Sequence, residues 1–240
     1  MLHIATPLFR YEYLEQIYES IPKNEDIIWH ISKIKERPAL TFDFLADPRV
    51  RVYECDCLDT DTVTKRNVIF DQIKDGYFCL LDDDTVFEQE MYNVYKSFSE
   101  KQFKGMVIGA QKFSSGKIRL KPTYPHNGTF KLTIDTGMIL SNFTVLNKVR
   151  WEFSETIPND AHFWYRCYQF YGKELTILIP DTISLYNKFA PFTRIKKQIF
   201  GRQIRFEIQN IVIFRIIILI SSILNFFRRL FGIKRTFKFP

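Results

Sequence analysis

Glycine is scarce in this chain, nine residues in 240, and none falls in TPLFRYEY, the stretch that closes the first apolar run. A glycine-rich, basic phosphate loop, expected at that point of a nucleotidyltransferase, is therefore absent. Cysteine is rarer still. Cys55, Cys57, Cys79 and Cys167 provide neither the density of a secreted disulfide scaffold nor two paired zinc-knuckle motifs, so a reduced, cytosolic compartment is the expectation. Cys55 and Cys57 flank Asp56 and can face one side of a strand, where they read as two small buried apolar residues or as metal ligands. No basic-then-apolar leader opens the chain, since MLHIATPLFRYEYLEQ already reads as strand and then helix. Secretion is not expected. No internal repeat and no low-complexity linker interrupts the sequence.

What is present is enough apolar material for a sizeable core: 46% of the residues are hydrophobic. The net charge of +7 and a pI near 9.1 favour an anionic partner. Much of that charge sits in the last 50 residues, between Arg194 and Lys238. There the basic residues cluster with Ile and Phe instead of studding an aromatic sheet face, so nucleic acid is not the expected partner.

Short apolar runs alternate with helical patterns over the first 110 residues. Leu2 to Thr6, Ile27 to Ile31, Val50 to Cys55 and Tyr77 to Leu81 read as strands. Tyr11 to Ile21 reads as a helix through Leu14, Ile17, Tyr18 and Ile21, and Thr60 to Lys74 as another, with Asp59 or Thr60 as its N-cap. Unbroken apolar runs suit parallel strands covered on both faces, so an α/β sheet is predicted. Further on, Gly105 to Phe113, Ile118 to Leu120, Phe130 to Ile134, Thr176 to Ile179 and Thr182 to Tyr186 read as strands. PNDAHFWYRCYQFYG reads as a helix closed by Gly172, with Phe163, Cys167, Phe170 and Tyr171 on one apolar face.

The most apolar strand runs directly into three carboxylates: YFCLLDDDTVF, Tyr77 to Phe87. In an extended segment residues i and i+2 face the same side, so Asp82 and Asp84 can point together beyond the strand end, where α/β sheets bind ligands. Two carboxylates so placed suit a hard cation, Mg²⁺ or Mn²⁺, with substrate phosphates and water completing its shell. The plainer alternative is a solvated acidic turn that caps the next helix.

From about Leu2 to Asn187 the sequence resembles the GT-A glycosyltransferases, especially the inverting family 2-like enzymes. KRNVIFDQIKDGYFCLLDDD is similar to that family's stretch in which an Arg-Asn pair opens a helix and a strand ends in Asp-x-Asp. The resemblance implies that Asp82, with Asp83, approaches the nucleotide sugar and that Asp82 and Asp84 hold the metal. It also implies that Arg66 and Asn67 line the nucleotide pocket and that Thr6 and Pro7 border the base, although Pro7 is equally a strand terminator. IDTGMILS resembles the acceptor-side segment, which would put Asp135 and Gly137 beside the donor and acceptor sugars. As a bare sequence feature, Asp135 reads equally as a turn residue before a required glycine. IPNDAHFWYRCYQFYGKELTILIPDTISLYN resembles the stretch that opens on the catalytic acid of a helix, Asp160, and ends in Tyr-Asn, Tyr186 and Asn187. An Asp in the first turn of a helix also satisfies free N–H groups and the dipole with no chemistry. Many metal-dependent members complete the metal shell with a late His; this chain has none after His162, so Asn187, water or a phosphate oxygen would substitute. His162 is a second-tier candidate.

The implied activity is hexosyltransferase-type. A sugar moves from a nucleotide diphosphate donor to a hydroxyl of a glycan or lipid-linked acceptor with inversion, Asp160 acting as general base. A degenerate, noncatalytic binding relative is the alternative. Residues 1–190 would be the catalytic domain and 191–240 a basic, apolar helical tail. Within that tail Ile211 to Phe227 offers 17 residues with Arg215 inside, short of the roughly 20 predominantly apolar residues that a crossing needs. A helix rich in Arg and Phe can instead lie on an anionic membrane surface, or pack on the core. The expected location is cytoplasmic, peripheral to the inner face of the membrane.

Overall fold

A computed structural model of the chain describes residues 1–130, 133–155, 157–186, 188 and 189, and the backbone of 195–199 and 202–206. In its first unit, Met1–Phe189, one mixed sheet of eight strands runs in the order β3-β2-β1-β4-β7-β5-β6, with β8 also paired to β5. The strands are β1 (Leu2–Pro7), β2 (Ile27–Ile34), β3 (Val50–Cys55), β4 (Tyr77–Leu80), β5 (Met106–Phe113), β6 (Ile118–Leu120), β7 (Ile139–Asn142) and β8 (Thr176–Tyr186). Parallel pairing joins β3, β2, β1 and β4, and joins β5 to β8. β7 is antiparallel to both β4 and β5.

Side chains alternate between two apolar cores, one on each face. Phe78 and Leu80 of β4 enter the core that holds Ile69, Phe70, Trp151, Phe163 and Trp164. Tyr77, Cys79 and Leu81 enter the core that holds Leu14, Ile17, Trp29, Met91 and Val94. Helices α2 (Thr62–Phe70) and α4 (Asn159–Tyr171) supply the first face; α1 (Leu14–Ser20) and α3 (Gln89–Glu100) supply the second. This two-sided cover is the physical reason that β1 and β4 carry no polar alternation.

Several elements differ from the sequence reading. α2 starts on Asp61, whose carboxylate accepts the Thr64 N–H at 2.9 Å, and neither Asp59 nor Thr60 caps it. No strand forms around Phe130 to Ile134 in the described residues: Thr133 folds back, both its N–H (3.0 Å) and its hydroxyl (2.9 Å) donating to the Phe130 carbonyl. β7 was not anticipated, and neither was α3, which buries Met91, Val94 and Tyr95 at helical spacing. β8 runs unbroken through Pro180, where two strands were expected. Its pairing with β5 shifts register after Ile108, which accommodates a residue with no N–H to donate. On α4, Phe163, Cys167 and Tyr171 are buried but Phe170 is exposed, because the apolar face turns toward Trp164. Gly172 closes that helix at φ +72°.

The second unit, Ala190–Pro240, shows an antiparallel ribbon, β9 (Ile195–Ile199) and β10 (Arg202–Phe206), where a helical tail was expected to begin. Asn187 and the apolar segment beyond residue 206 lie outside the described residues. Among the described residues no helix is long and apolar enough to cross a membrane.

Candidate active site

β4 delivers the carboxylates to the carboxyl end of the sheet. It ends at Leu80, and Asp83 and Asp84 stand in a turn, so simple alternation does not set their directions. Asp82 and Asp84 nevertheless line one crevice, together with Asp135, Gly137, Gln111, Ser184 and Tyr186. Asp83 points elsewhere. Its Oδ2 accepts the backbone N–H of Phe9 (2.5 Å) and of Arg10 (2.7 Å), and its Oδ1 accepts Arg10 Nη1 at 3.0 Å. The same guanidinium reaches Asp84 Oδ2 at 2.5 Å. Arg10 was not singled out from the sequence; its place three residues past a strand-ending proline was the available signal.

The loop that follows β1 is held from a second side as well. Lys65, fully buried on α2, donates to the Leu8 carbonyl and the Asp59 carbonyl, each at 2.7 Å, and its ammonium lies 3.6 Å from the centre of the Phe9 ring. Thr6 and Pro7 are buried within β1. Thr6 Oγ1 accepts the Trp29 indole N–H at 2.9 Å, and Pro7 ends the strand.

Arg66 is buried between acidic groups. Its Nη2 is 3.4 Å from Asp82 Oδ1, its guanidinium lies 4.0 Å from the centre of a Trp151 ring, and its Nε has no hydrogen-bond partner. Burial lowers its pKa while the charges of Asp82, Asp160 and Asp135 oppose that shift. Asn67 pairs both ends of its amide with the backbone of Trp151, at 2.9 Å each, and so fixes the indole on which Arg66 rests. Its contribution to the site is made through that clamp.

Burial raises the pKa of Asp82 to about 7; Arg66 pulls it down, while Asp135, Asp84 and Asp83 push it up. The side chain keeps 37% exposure, so solvent moderates this shift. Asp160 lies in the first turn of α4 with a half-buried side chain, outside the crevice lining. Burial first, and then the charge of Asp135, raise its pKa above the usual carboxylate range, while Arg66 and the Ala161 N–H lower it. It thus serves the helix start and feels the same charges as Asp82. Asp135 is held through Oδ2 by Arg119 Nη1 at 2.7 Å, and a Cβ at Gly137 would lie 2.7 Å from Ser184 Oγ, so only glycine fits there without a shift.

Asp82 and Asp84 bring to one crevice the oxygen donors that a hard divalent cation takes, with Asp84 Oδ2 already paired with Arg10. Among the described residues no group of three or more His, Cys, Asp or Glu could hold a metal, so ligand oxygens and water would have to complete the shell. Cys55 and Cys57 are a different case: their sulfurs are 2.8 Å apart and burial pushes the Cys57 thiol up to about 12, so it stays protonated.

No protein-family model and no curated protein matches the sequence. Among solved structures, S. aureus TarS residues 1–349 superposes with a TM-score of 0.52 at 14% identity, over 70% of this chain and 55% of that one. A longer TarS structure gives 0.58 at 13% identity, over 79% and 37%. TarS is a glycosyltransferase of the GT-A type. This chain has the GT-A fold. A TarS structure in complex with UDP gives 0.52 at 14% identity, over 68% of this chain and 53% of that one. The chain thus spans about half the length of the TarS 1–349 structures it matches, and at these identities the GT-A likeness is one of fold.

Proposed function

We propose that this chain is a metal-dependent, inverting glycosyltransferase that moves a sugar from a nucleotide diphosphate to a hydroxyl of a glycan or lipid-linked acceptor. The observation that carries the reading is the crevice at the carboxyl end of the sheet, where Asp82, Asp84 and Asp135 converge beside a buried, under-bonded Arg66. A GT-A fold with that convergence supports a nucleotide-sugar site. Uridine diphosphate sugars are the first donors to test, because TarS has been captured with UDP.

Asp82 and Asp84 would hold Mg²⁺ or Mn²⁺, which would supply positive charge where the departing diphosphate becomes negative. Arg66 adds positive charge from the protein itself. Its buried Nε has no hydrogen-bond partner, so a ligand oxygen that reached it would satisfy it. Asp160 takes the proton of the attacking hydroxyl, and its raised proton affinity suits that task better than an ordinary surface carboxylate would. Asp135 and Gly137 border the sugars at the far end of the crevice.

Hydrolysis and transfer measured over a panel of nucleotide sugars with Mn²⁺ test the reading. Asp84→Ala should abolish metal-dependent turnover with the fold intact, and a near-normal rate in that variant would refute the assignment. Asp160→Asn should cut turnover and leave donor binding in place; equal losses in both would remove Asp160 from the base role. Binding of nucleotide sugar with no turnover in the unaltered chain would instead identify a noncatalytic binding protein.

A further inference from the structure

Beyond the residues that the resemblance implies, one polar chain crosses three strands to reach the crevice. Ser184 on β8 accepts Gln111 Nε2 of β5 at 3.1 Å, the Gln111 carbonyl oxygen accepts Arg119 Nη1 of β6, and the same Nη1 donates to Asp135 Oδ2 at 2.7 Å. The Arg119 guanidinium lies 3.7 Å from the centre of the Tyr186 ring, which sets its plane. The β5–β6 pairing shifts register between Gln111 and Lys112, beside Arg119, the kind of irregularity that re-aims a side chain. Gln111 is buried, so its amide has little freedom to release the arginine. Arg119 does not stand as an open anion site, since its charge is already paired with Asp135.

We propose that Arg119 is a positioning residue for sugar transfer: it holds Asp135 at the sugar end of the crevice, and Gln111 and Tyr186 hold Arg119. This rests on the glycosyltransferase reading and assigns the sugar subsite a support that lies outside the carboxylate triplet. Among the described residues the nucleotide end, which the proposed function builds from Arg66 and the β1 loop, shares no hydrogen bond with this chain of contacts and feels it only through the charge of Asp135. Loss of Arg119 should therefore separate the two ends of the donor.

The test uses the full chain and the variants Arg119→Gln, Arg119→Lys, Asp135→Asn and the Arg119→Gln/Asp135→Asn double. Calorimetric titration with UDP and with the nucleotide sugar that the unaltered chain turns over reads binding; initial rates read kcat. Arg119→Gln should bind UDP as the unaltered chain does, bind the nucleotide sugar more weakly, and lose about ten- to a hundred-fold in kcat, the scale on which a misplaced positioning group acts. Asp135→Asn should do the same, and the double variant should be no worse than either single, because the two residues act as one unit. Arg119→Lys restores the charge without the fork and should recover part of the loss. Losses that multiply in the double variant, an equal loss of UDP affinity, or a normal kcat in Arg119→Gln would each overturn the assignment while leaving the glycosyltransferase reading in place. Absence of transfer from every donor in the unaltered chain would overturn both.

Discussion

Replacing Asp83 by alanine should damage the fold far more than replacing Asp82. Asp83 is 4% exposed, and its two oxygens receive two backbone N–H groups and one guanidinium. Alanine leaves the Phe9 and Arg10 N–H groups without their acceptor. A hydrogen bond to a charged group is worth about 1.5 to 3 kcal/mol, and breaking a buried ion pair from one side costs about 3 to 5 kcal/mol. Two terms offset that loss. Burial and the charge of Asp84 raise the Asp83 pKa, so the substitution also removes a desolvated, repelled carboxylate, and Arg10 retains Asp84. The net expectation is about 2 to 4 kcal/mol, or roughly 5 to 15 °C in Tm for a unit of this size. Asp82→Asn should move Tm by at most a degree or two either way, since its contact with Arg66 is 3.4 Å long and its side chain is over a third exposed. Thermal and urea melts followed by circular dichroism, without ligands, read the difference. If Asp83→Ala melts no lower than Asp82→Asn, the carboxylate is not the anchor of the β1 loop, and the separation of roles within the triplet fails.

Acid should weaken the fold through the buried pair His3 and His30, whose rings bond at 2.9 Å (Nδ1 to Nε2), with Asp75 and Tyr53 at the two ends of the chain. Burial lowers both pKa values from 6.5, that of His30 to about 3. Below pH 6.5 the unfolded chain takes up protons that the folded one refuses, so stability falls as pH drops from there toward 3, by up to about 1.4 kcal/mol per unit for His30, and His3 adds to the loss in the same direction. His30→Gln should flatten urea midpoints between pH 7.5 and 5, and an unchanged slope would exclude the pair. Asp47, lowered to about 2 chiefly by its bonds to Arg49, gives stability that is present above pH 3.8 and is lost as pH falls from there to about 2. Gly137→Ala puts a Cβ 2.7 Å from Ser184 Oγ and should lower nucleotide-sugar turnover. Gly137→Ala/Ser184→Ala should recover part of it, and no recovery would show that the clash lies elsewhere. Removing residues 206–240 should abolish co-sedimentation with anionic vesicles; a truncated chain that still sediments would place the membrane contact within the first 205 residues.

The first half of the sheet was legible because β1, β2 and β4 are buried along their whole length and read as mainly apolar runs, while the edge strand β3 showed as alternating β-branched and polar residues, VRVYEC. The second half was not, for local reasons. ILSN of β7 is only four residues long, buried between β4 and β5, and its extended form comes from pairing on both edges rather than from its own pattern. Pro180 reads as a break, and only the irregular ladder with β5 lets a strand pass through it. The carboxylates of the site were legible as chemistry, since acids at the end of an apolar strand are conspicuous. Of their cationic counterparts only Arg66 was singled out. Arg10 lies 73 residues from Asp83, Lys65 57 from Leu8 and Arg119 16 from Asp135, and apart from the proline before Arg10 nothing local marks these pairings.

Three adjacent carboxylates at the end of a buried strand would repel one another if all three faced one space. The turn at Asp83 and Asp84 prevents this by sending the middle side chain back into the protein, where it anchors the loop after β1. That loop is fixed from the opposite side by the buried Lys65 ammonium at the Leu8 carbonyl. The backbone that leads out of β1 is thereby set rigidly against Asp82 and Asp84, and a ligand meeting the crevice finds its loop already ordered. On the proposed function Asp83 would act on the reaction only through the loop it anchors. Its loss should raise the donor concentration needed for half-maximal rate, whereas loss of Asp84 should remove turnover at any donor concentration. A kinetic comparison of Asp83→Asn and Asp84→Asn separates these outcomes, and identical behaviour in the two would mean that the middle carboxylate faces the ligand after all.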